Sequence, residues 1–328
     1  PYDLEKVTGG SSGGEAALIA AGGSPMGVGT DGNGSIRVPS HYCGIAGLAP
    51  ALGRVSIAGL YPPSENSDTK CCCKIGPMSR YVEDLALGLS IMSGLDYRVP
   101  FTHPFPVQDY RKVKVCDLRI AYWTHQEGYK RLDPTKDTVS AVETSAKALK
   151  RRGAKVEETD PPVDIESHYN ATLAMYFPGG PSRWAALLQE YGAEEDGLMQ
   201  EAISIATDWA KEHKPEQIES WQGQWPELRR RVFSSMEGYD AVLAPVTASP
   251  ALPHGTTFRR GVEDLHFMYP AVYSPVYSLP MGVVRSNTSP EGLPIGVQVV
   301  GSPYREDNVL AVLNALEEEF GGWKPPRL

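Results

Sequence analysis

The chain has 328 residues, with 31 Lys and Arg against 40 Asp and Glu, and the resulting net charge of -9 excludes a nucleic-acid surface, which needs clustered cations. The length buries a large core, and no run approaches the roughly 20 apolar residues of a membrane-crossing helix. Five cysteines, Cys43, Cys71, Cys72, Cys73 and Cys116, lack paired or metal-ligating spacing, which excludes a disulfide scaffold and predicts a reducing, cytoplasmic setting.

Pro1–Thr8 carries no start-like, targeting or strand-like pattern and reads as the middle of a domain, so the sequence is expected to lack an N-terminal part. A glycine loop follows, Gly9-Gly10-Ser11-Ser12-Gly13-Gly14, and Glu15–Ala21 is rich in helix formers that Ser11 or Ser12 could cap. Met26–Thr30 reads as a short buried strand leading into a second loop, Asp31-Gly32-Asn33-Gly34-Ser35, and Ile36–Cys43 opens a helical or turn segment. Val82, Leu85, Leu89 and Met92 recur at helical spacing before Gly94.

Leu118–Trp123 is a strand, Pro134–Arg152 a helix with Val139, Val142, Ala146 and Leu149 on one stripe, and Lys155–Glu158 a further strand. Residues 165–237 are mostly helical, carry Trp184, Trp209, Trp221 and Trp225, and are expected to form an insertion or cap. Strands resume at Ala241–Ala244, Gly282–Arg285 and Ile295–Val300, and a last helix places Val309, Val312, Leu313, Leu316 and Phe320 on one face. This alternation predicts an α/β fold, a single domain whose mixed β-sheet is visited twice and covered by helices on both faces.

Both glycine loops bear a serine, Ser11 and Ser35. Glycine lets backbone N–H groups converge, and a serine at the rim of such a nest can act as a nucleophile whose oxyanion those groups catch. Other patterns fail on context. Gly27-Val28-Gly29-Thr30-Asp31-Gly32 fits a dinucleotide fingerprint, but the breakers after it cannot open a long helix. The first loop fits a nucleophile elbow, yet Asp3–Thr8 is a poor strand, and His168, His213, His254 and His266 sit in settings that do not suggest a triad partner. Asp31-Gly32-Asn33 begins like a calcium loop but has Ile36 where glycine is required.

Gly9–Ala17 (GGSSGGEAA), Gly29–Pro39 (GTDGNGSIRVP), Gly44–Leu48 (GIAGL), Gly76-Pro77-Met78 leading into Val82-Glu83-Asp84-Leu85-Ala86, Leu243-Ala244-Pro245 and Gly292–Gly301 together resemble the amidase signature family. The resemblance runs from residue 1 to 323. Its tail, Leu279–Gly301 and Phe320-Gly321-Gly322-Trp323, looks most like the type-2 fatty acid amide hydrolase branch. It implies the amidase signature fold and a Ser–cisSer–Lys mechanism without metal or cofactor. Ser35 aligns with the acyl-enzyme nucleophile and Ser11 with the bridging serine held by a cis peptide. Gly32, Asn33 and Gly34 would serve the oxyanion, and Ser12, Thr30, Asp31 and Arg37 the supporting shell, Asp31 pairing with Arg37.

The resemblance places the base, a lysine in a Gly-x-Pro-x-x-x-Lys-Asp segment, before the first loop, so residues 1–328 alone are expected to be inactive; Lys6 stands too close to Ser11 to substitute. Asn33 occupies a usual glycine position, and Ala49 a common lysine position. The expected partner is a small-molecule amide, with any membrane association supplied by a segment preceding Pro1. The same family admits two alternatives, the amidase component of a glutamine-dependent tRNA amidotransferase and a non-catalytic amide- or protein-binding pseudo-amidase. Tyr269, Tyr273 and Tyr277, at four-residue spacing, fit either a bulky pocket wall or a buried helix face.

Overall fold

The computed structural model describes residues 1–60, 73–125, 133–176, 197–256 and 268–327, together with 186 and 189. Trp184, Cys71, Cys72 and His266 therefore lie outside the described residues. The apolar segments form β1 (Met26–Asp31), β2 (Ala46–Ala49), β3 (Lys74–Ser79), β4 (Arg119–Tyr122), β5 (Lys155–Glu158), β6 (Ala241–Pro245), β7 (Met281–Thr288) and β8 (Pro294–Gly301). They make one eight-stranded sheet in the order β1-β3-β2-β7-β8-β6-β4-β5. β4 runs parallel to β5 and β6 and the other pairs are antiparallel, so the sheet is mixed as the alternation predicted.

Successive strand residues face opposite sides, and β8 divides accordingly: Val297 and Val299 enter one core, Val300 another. The first core is made with α3 (Val82–Met92), α4 (Lys136–Arg151) and α8 (Glu306–Phe320), through Leu85, Leu89, Val142, Leu149, Val309 and Leu313. α4 starts at Thr135, whose Oγ1 accepts from the Thr138 N–H, and α8 stops where Gly321 turns left-handed at φ +78°. Within 165–237 the described helices are α5 (Ile165–Tyr176), α6 (Gly197–Glu212) and α7 (Pro215–Ser235). α5 and α7 supply Ile165, Ala171, Leu228 and Val232 to the second core, where they meet Trp123, Tyr269 and Tyr273. The Trp123 indole N–H donates to the Tyr273 hydroxyl at 2.7 Å. Tyr269 and Tyr273 are thus core residues, but the helical turn that carries Tyr269 ends at residue 271 and Tyr277 is half-buried beneath Arg229, so the three do not form one buried helix face.

β2 and β3 were not legible as strands, because Gly44–Leu48 and Gly76-Pro77 carry residues that sheets normally exclude. The packing explains them. A Cβ on Gly76 would stand 1.9 Å from the Leu48 carbonyl oxygen, so β3 approaches β2 only because the residue has no side chain.

α3 begins without a cap from its own sequence, and Glu317 of α8 provides one by accepting from the Val82 N–H at 3.1 and 3.2 Å. Burial first, then the nearby Glu83, Asp84 and Glu318 charges, push its carboxyl up to about 7. A carboxyl raised on folding binds its proton more tightly in the native state, so its contribution is complete below the unfolded value and is lost as pH rises towards 7. Glu317→Gln, which keeps an acceptor for Val82, is expected to raise the melting temperature at pH 8 more than at pH 5. Parallel thermal melts across that range check it.

Candidate active site

The two glycine loops meet along a backbone seam. α1 (Gly13–Ala20) springs from the first loop, and β1 carries the second. The Ser12 N–H donates to the Ser35 carbonyl at 3.1 Å, and Ser12 Oγ accepts from the Thr30 N–H at 3.2 Å. Ser12 thereby ties the first loop both to the end of β1 and to Ser35 itself. The Gly10–Ser11 peptide bond is cis. Ser11 is exposed and Ser35 half-buried, so both hydroxyl-bearing residues stand where a substrate could reach them.

Beneath Ser35 lies a buried ion pair. Asp31 and Arg37 are 1% and 0% exposed, which removes solvent as a partner and requires every polar group to be satisfied internally. They are. The Asp31 carboxylate accepts from the Gly34 N–H at 2.7 Å, the Ile36 N–H at 3.2 Å and the Arg37 N–H at 3.3 Å, and from the Arg37 guanidinium twice at 3.0 Å. The guanidinium spends its remaining donors on the Pro270 carbonyl at 2.8 Å, Gln298 Oε1 at 2.6 Å and Ser274 Oγ at 2.8 Å. Each of its five N–H groups has an acceptor. Burial alone would raise the Asp31 carboxyl, but Arg37, the Gly34 N–H and Lys74 together hold it below its ordinary value.

This geometry gives the second loop its shape. Asp31 reaches forward over three to six residues and collects the backbone N–H groups of the turn, folding Gly32–Ser35 over its carboxylate, while α2 (Arg37–Tyr42) begins where the turn ends. Gly34 stands at φ +114°, a conformation that side chains rarely adopt. The Gly34 N–H is bonded to Asp31, and Gly32 and Asn33, both half-buried, are the members of the predicted oxyanion set at the accessible part of the turn.

Sequence reasoning missed four contributors: Lys74, Pro270, Ser274 and Gln298. Lys74 is 2% exposed, lies opposite Asp31 in the β1–β3 ladder and donates from Nζ to the Leu279 carbonyl at 2.7 Å. Its position directly before the Gly76-Pro77-Met78 motif was the only available signal. Three histidines meet backbone groups: His41 faces the Gly296 N–H and Ser249 carbonyl, His168 the Ala271 carbonyl and His213 the Trp209 carbonyl.

Comparison with known proteins places this arrangement in a wider group. The family model described as Amidase matches residues 1–310. A glutamyl-tRNA(Gln) amidotransferase subunit from Roseiflexus castenholzii is 30% identical over 353 residues, covering 97% of this chain and 67% of that protein. Its counterpart from Chloroflexus aggregans is 31% identical over 358 residues, with the same coverage. Among solved structures, the corresponding protein from Thermotoga maritima superposes with a TM-score of 0.74 at 26% identity, covering 99% of this chain and 70% of that one. A 6-aminohexanoate cyclic dimer hydrolase gives 0.78 at 23% identity, covering 100% and 71%, a likeness of fold.

Proposed function

The chain belongs to the amidase family, and from that premise we propose that it cleaves amide bonds through an acyl-enzyme on Ser35. The observation that carries the reading is the Ser12 seam, which sets Ser35 against the loop bearing Ser11 above a fully satisfied Asp31–Arg37 platform. Ser35 Oγ attacks the carbonyl carbon while its proton passes by way of Ser11, and the oxyanion turns towards the backbone of Gly32 and Asn33. An amine is a poor leaving group and must be protonated as the C–N bond breaks, so a short relay that returns the same proton suits the task. Water then cleaves the ester by the same relay.

The base in this mechanism is a lysine in a segment preceding the first loop. Lys74 donates from Nζ to the Leu279 carbonyl and helps hold the Asp31 carboxyl down. A fatty acyl substrate is supported by the tail alone, and the burial of Tyr269 and Tyr273 leaves only the half-buried Tyr277 of the three tyrosines to weigh against a glutamine-sized one. The second reading, the amidase component of a glutamine-dependent tRNA amidotransferase, is favoured by the relatives of that name. Among the described residues no helix is long and apolar enough to cross a membrane.

Labelling with a fluorophosphonate probe tests the mechanism. Ser35→Ala is expected to abolish labelling, and Ser11→Ala to slow it by roughly 10²-fold or more, the usual worth of a proton-transfer group. Labelling that survives Ser35→Ala, or none in the parent, would leave the pseudo-amidase reading. Turnover of free glutamine against a long-chain acyl amide separates the two substrates.

A further inference from the structure

His168 lies in α5, outside the nucleophile loops, and it is fully buried. Its Nε2 meets the Ala271 carbonyl at 2.8 Å, its ring stacks on Trp225 of α7 at 5.8 Å and 13°, and its Nδ1 has no partner. Burial pushes the imidazole down to about 4, so at neutral pH it carries one N–H, and a carbonyl partner requires that hydrogen on Nε2. A buried acceptor without a donor costs stability, and an aliphatic side chain would fill the same space without that cost. Beyond its stacking on Trp225, what the imidazole adds is its hydrogen bond to Ala271.

Ala271 follows Pro270, whose carbonyl accepts from Arg37 Nη1, and precedes Ser274, whose Oγ accepts from Arg37 Nη2 and donates to the Pro270 carbonyl at 2.9 Å. The Pro270 ring also fills the space against Gly34, where a Cβ would come within 2.7 Å of its own Cβ. Residues 270–274 are therefore gripped on one side by Arg37 and on the other by His168.

We propose that His168 is a positioning residue that couples the α5–α7 layer to the Ser35 loop, fixing residues 270–274 where Arg37 and Gly34 need them. Loss of the His168 bond to Ala271 then reaches the nucleophile loop through Pro270 and Arg37, whereas a loosening of the layer that leaves that bond in place does not. The role in catalysis rests on Ser35 being the nucleophile; the mechanical coupling does not.

Hydrogen–deuterium exchange on the whole protein at pH 7 reads the coupling directly. In His168→Leu, amides of residues 31–37 and 268–276 are expected to exchange at least tenfold faster than in the parent. His168→Gln, whose carboxamide can donate from the place of Nε2, restores most of the protection. His168→Asn, polar but too short to reach the carbonyl, serves as the test should the leucine variant not fold. Val232→Ala removes apolar volume from the same cluster and is expected to loosen α7 while leaving residues 31–37 protected. Unchanged exchange at 31–37 in both His168→Leu and His168→Asn, or equal loosening by Val232→Ala, overturns the proposal. If the parent is labelled at Ser35, labelling slows in the same order as protection is lost. A parent that is not labelled sinks the amidase reading, and the exchange data still decide the coupling.

Discussion

Arg37→Met is expected to destabilise the protein by about 3–5 kcal/mol, the cost of leaving one member of a buried ion pair without its partner, and to remove detectable Ser35 labelling. The magnitude follows from burial. Arg37 is 0% exposed and holds five acceptors, three of them 233, 237 and 261 residues away along the chain. Removing it orphans the Asp31 carboxylate and unfastens residues 270–274 from the loop. An exposed pair such as Arg151–Glu319 is worth at most about 1 kcal/mol by contrast. Arg37→Lys is expected to fare little better, because a point ammonium cannot reproduce the two parallel bonds to Asp31. Asp31→Asn should cost a similar amount, leaving the guanidinium half-paired. The double variant Asp31→Asn with Arg37→Met should lose less than the sum, since each change removes the group the other strands. Denaturant titrations of the four proteins measure that coupling, and strict additivity would show that the pair does not act as a unit.

The same contacts explain which parts of the molecule could be read from sequence. Strands β4, β6, β7 and β8 stood out because each carries an apolar run near turn residues, β5 (Lys155–Glu158) fitted the α/β alternation despite its charge, and α4 stood out because Val142, Ala146 and Leu149 repeat at helical spacing. β2 and β3 are held by close backbone approach at Gly76, a tertiary reason that no local propensity reports. Within the candidate site, glycine spacing marks the loops that bear Ser11 and Ser35, whereas Ser12, Thr30, Asp31 and Arg37 entered through the family resemblance, and the fold pairs Asp31 with Arg37 six residues on. Lys74, Pro270, Ser274 and Gln298 were not, since only sheet register and packing bring them together. The Gly34 N–H fits an oxyanion donor by sequence, but in the fold Asp31 claims it.

Gly34→Ala is therefore the sharpest probe of the loop. The residue sits at φ +114°, and an added Cβ would lie 2.7 and 2.9 Å from Pro270 Cβ and Cγ and 3.2 Å from Val38 Cγ2. The backbone conformation costs an alanine roughly 1–3 kcal/mol, and overpacking adds about 1–3 kcal/mol. Pro270 cannot retreat cheaply, because its ring is rigid and its carbonyl is held by Arg37 and Ser274. The loop itself must therefore move, which breaks the bond from the Gly34 N–H to Asp31 and shifts Gly32, Asn33 and Ser35 with it. A displacement of about 1 Å is enough to cost on the order of 10²-fold in rate, so labelling of Ser35 should fall by about that factor or more. Gly223→Ala supplies the control: it lies in α7 with open space at its Cβ and should stabilise by about 0.5–1 kcal/mol while leaving labelling untouched. Parent-like labelling in Gly34→Ala would mean that the oxyanion is bound elsewhere than at the turn that Asp31 folds.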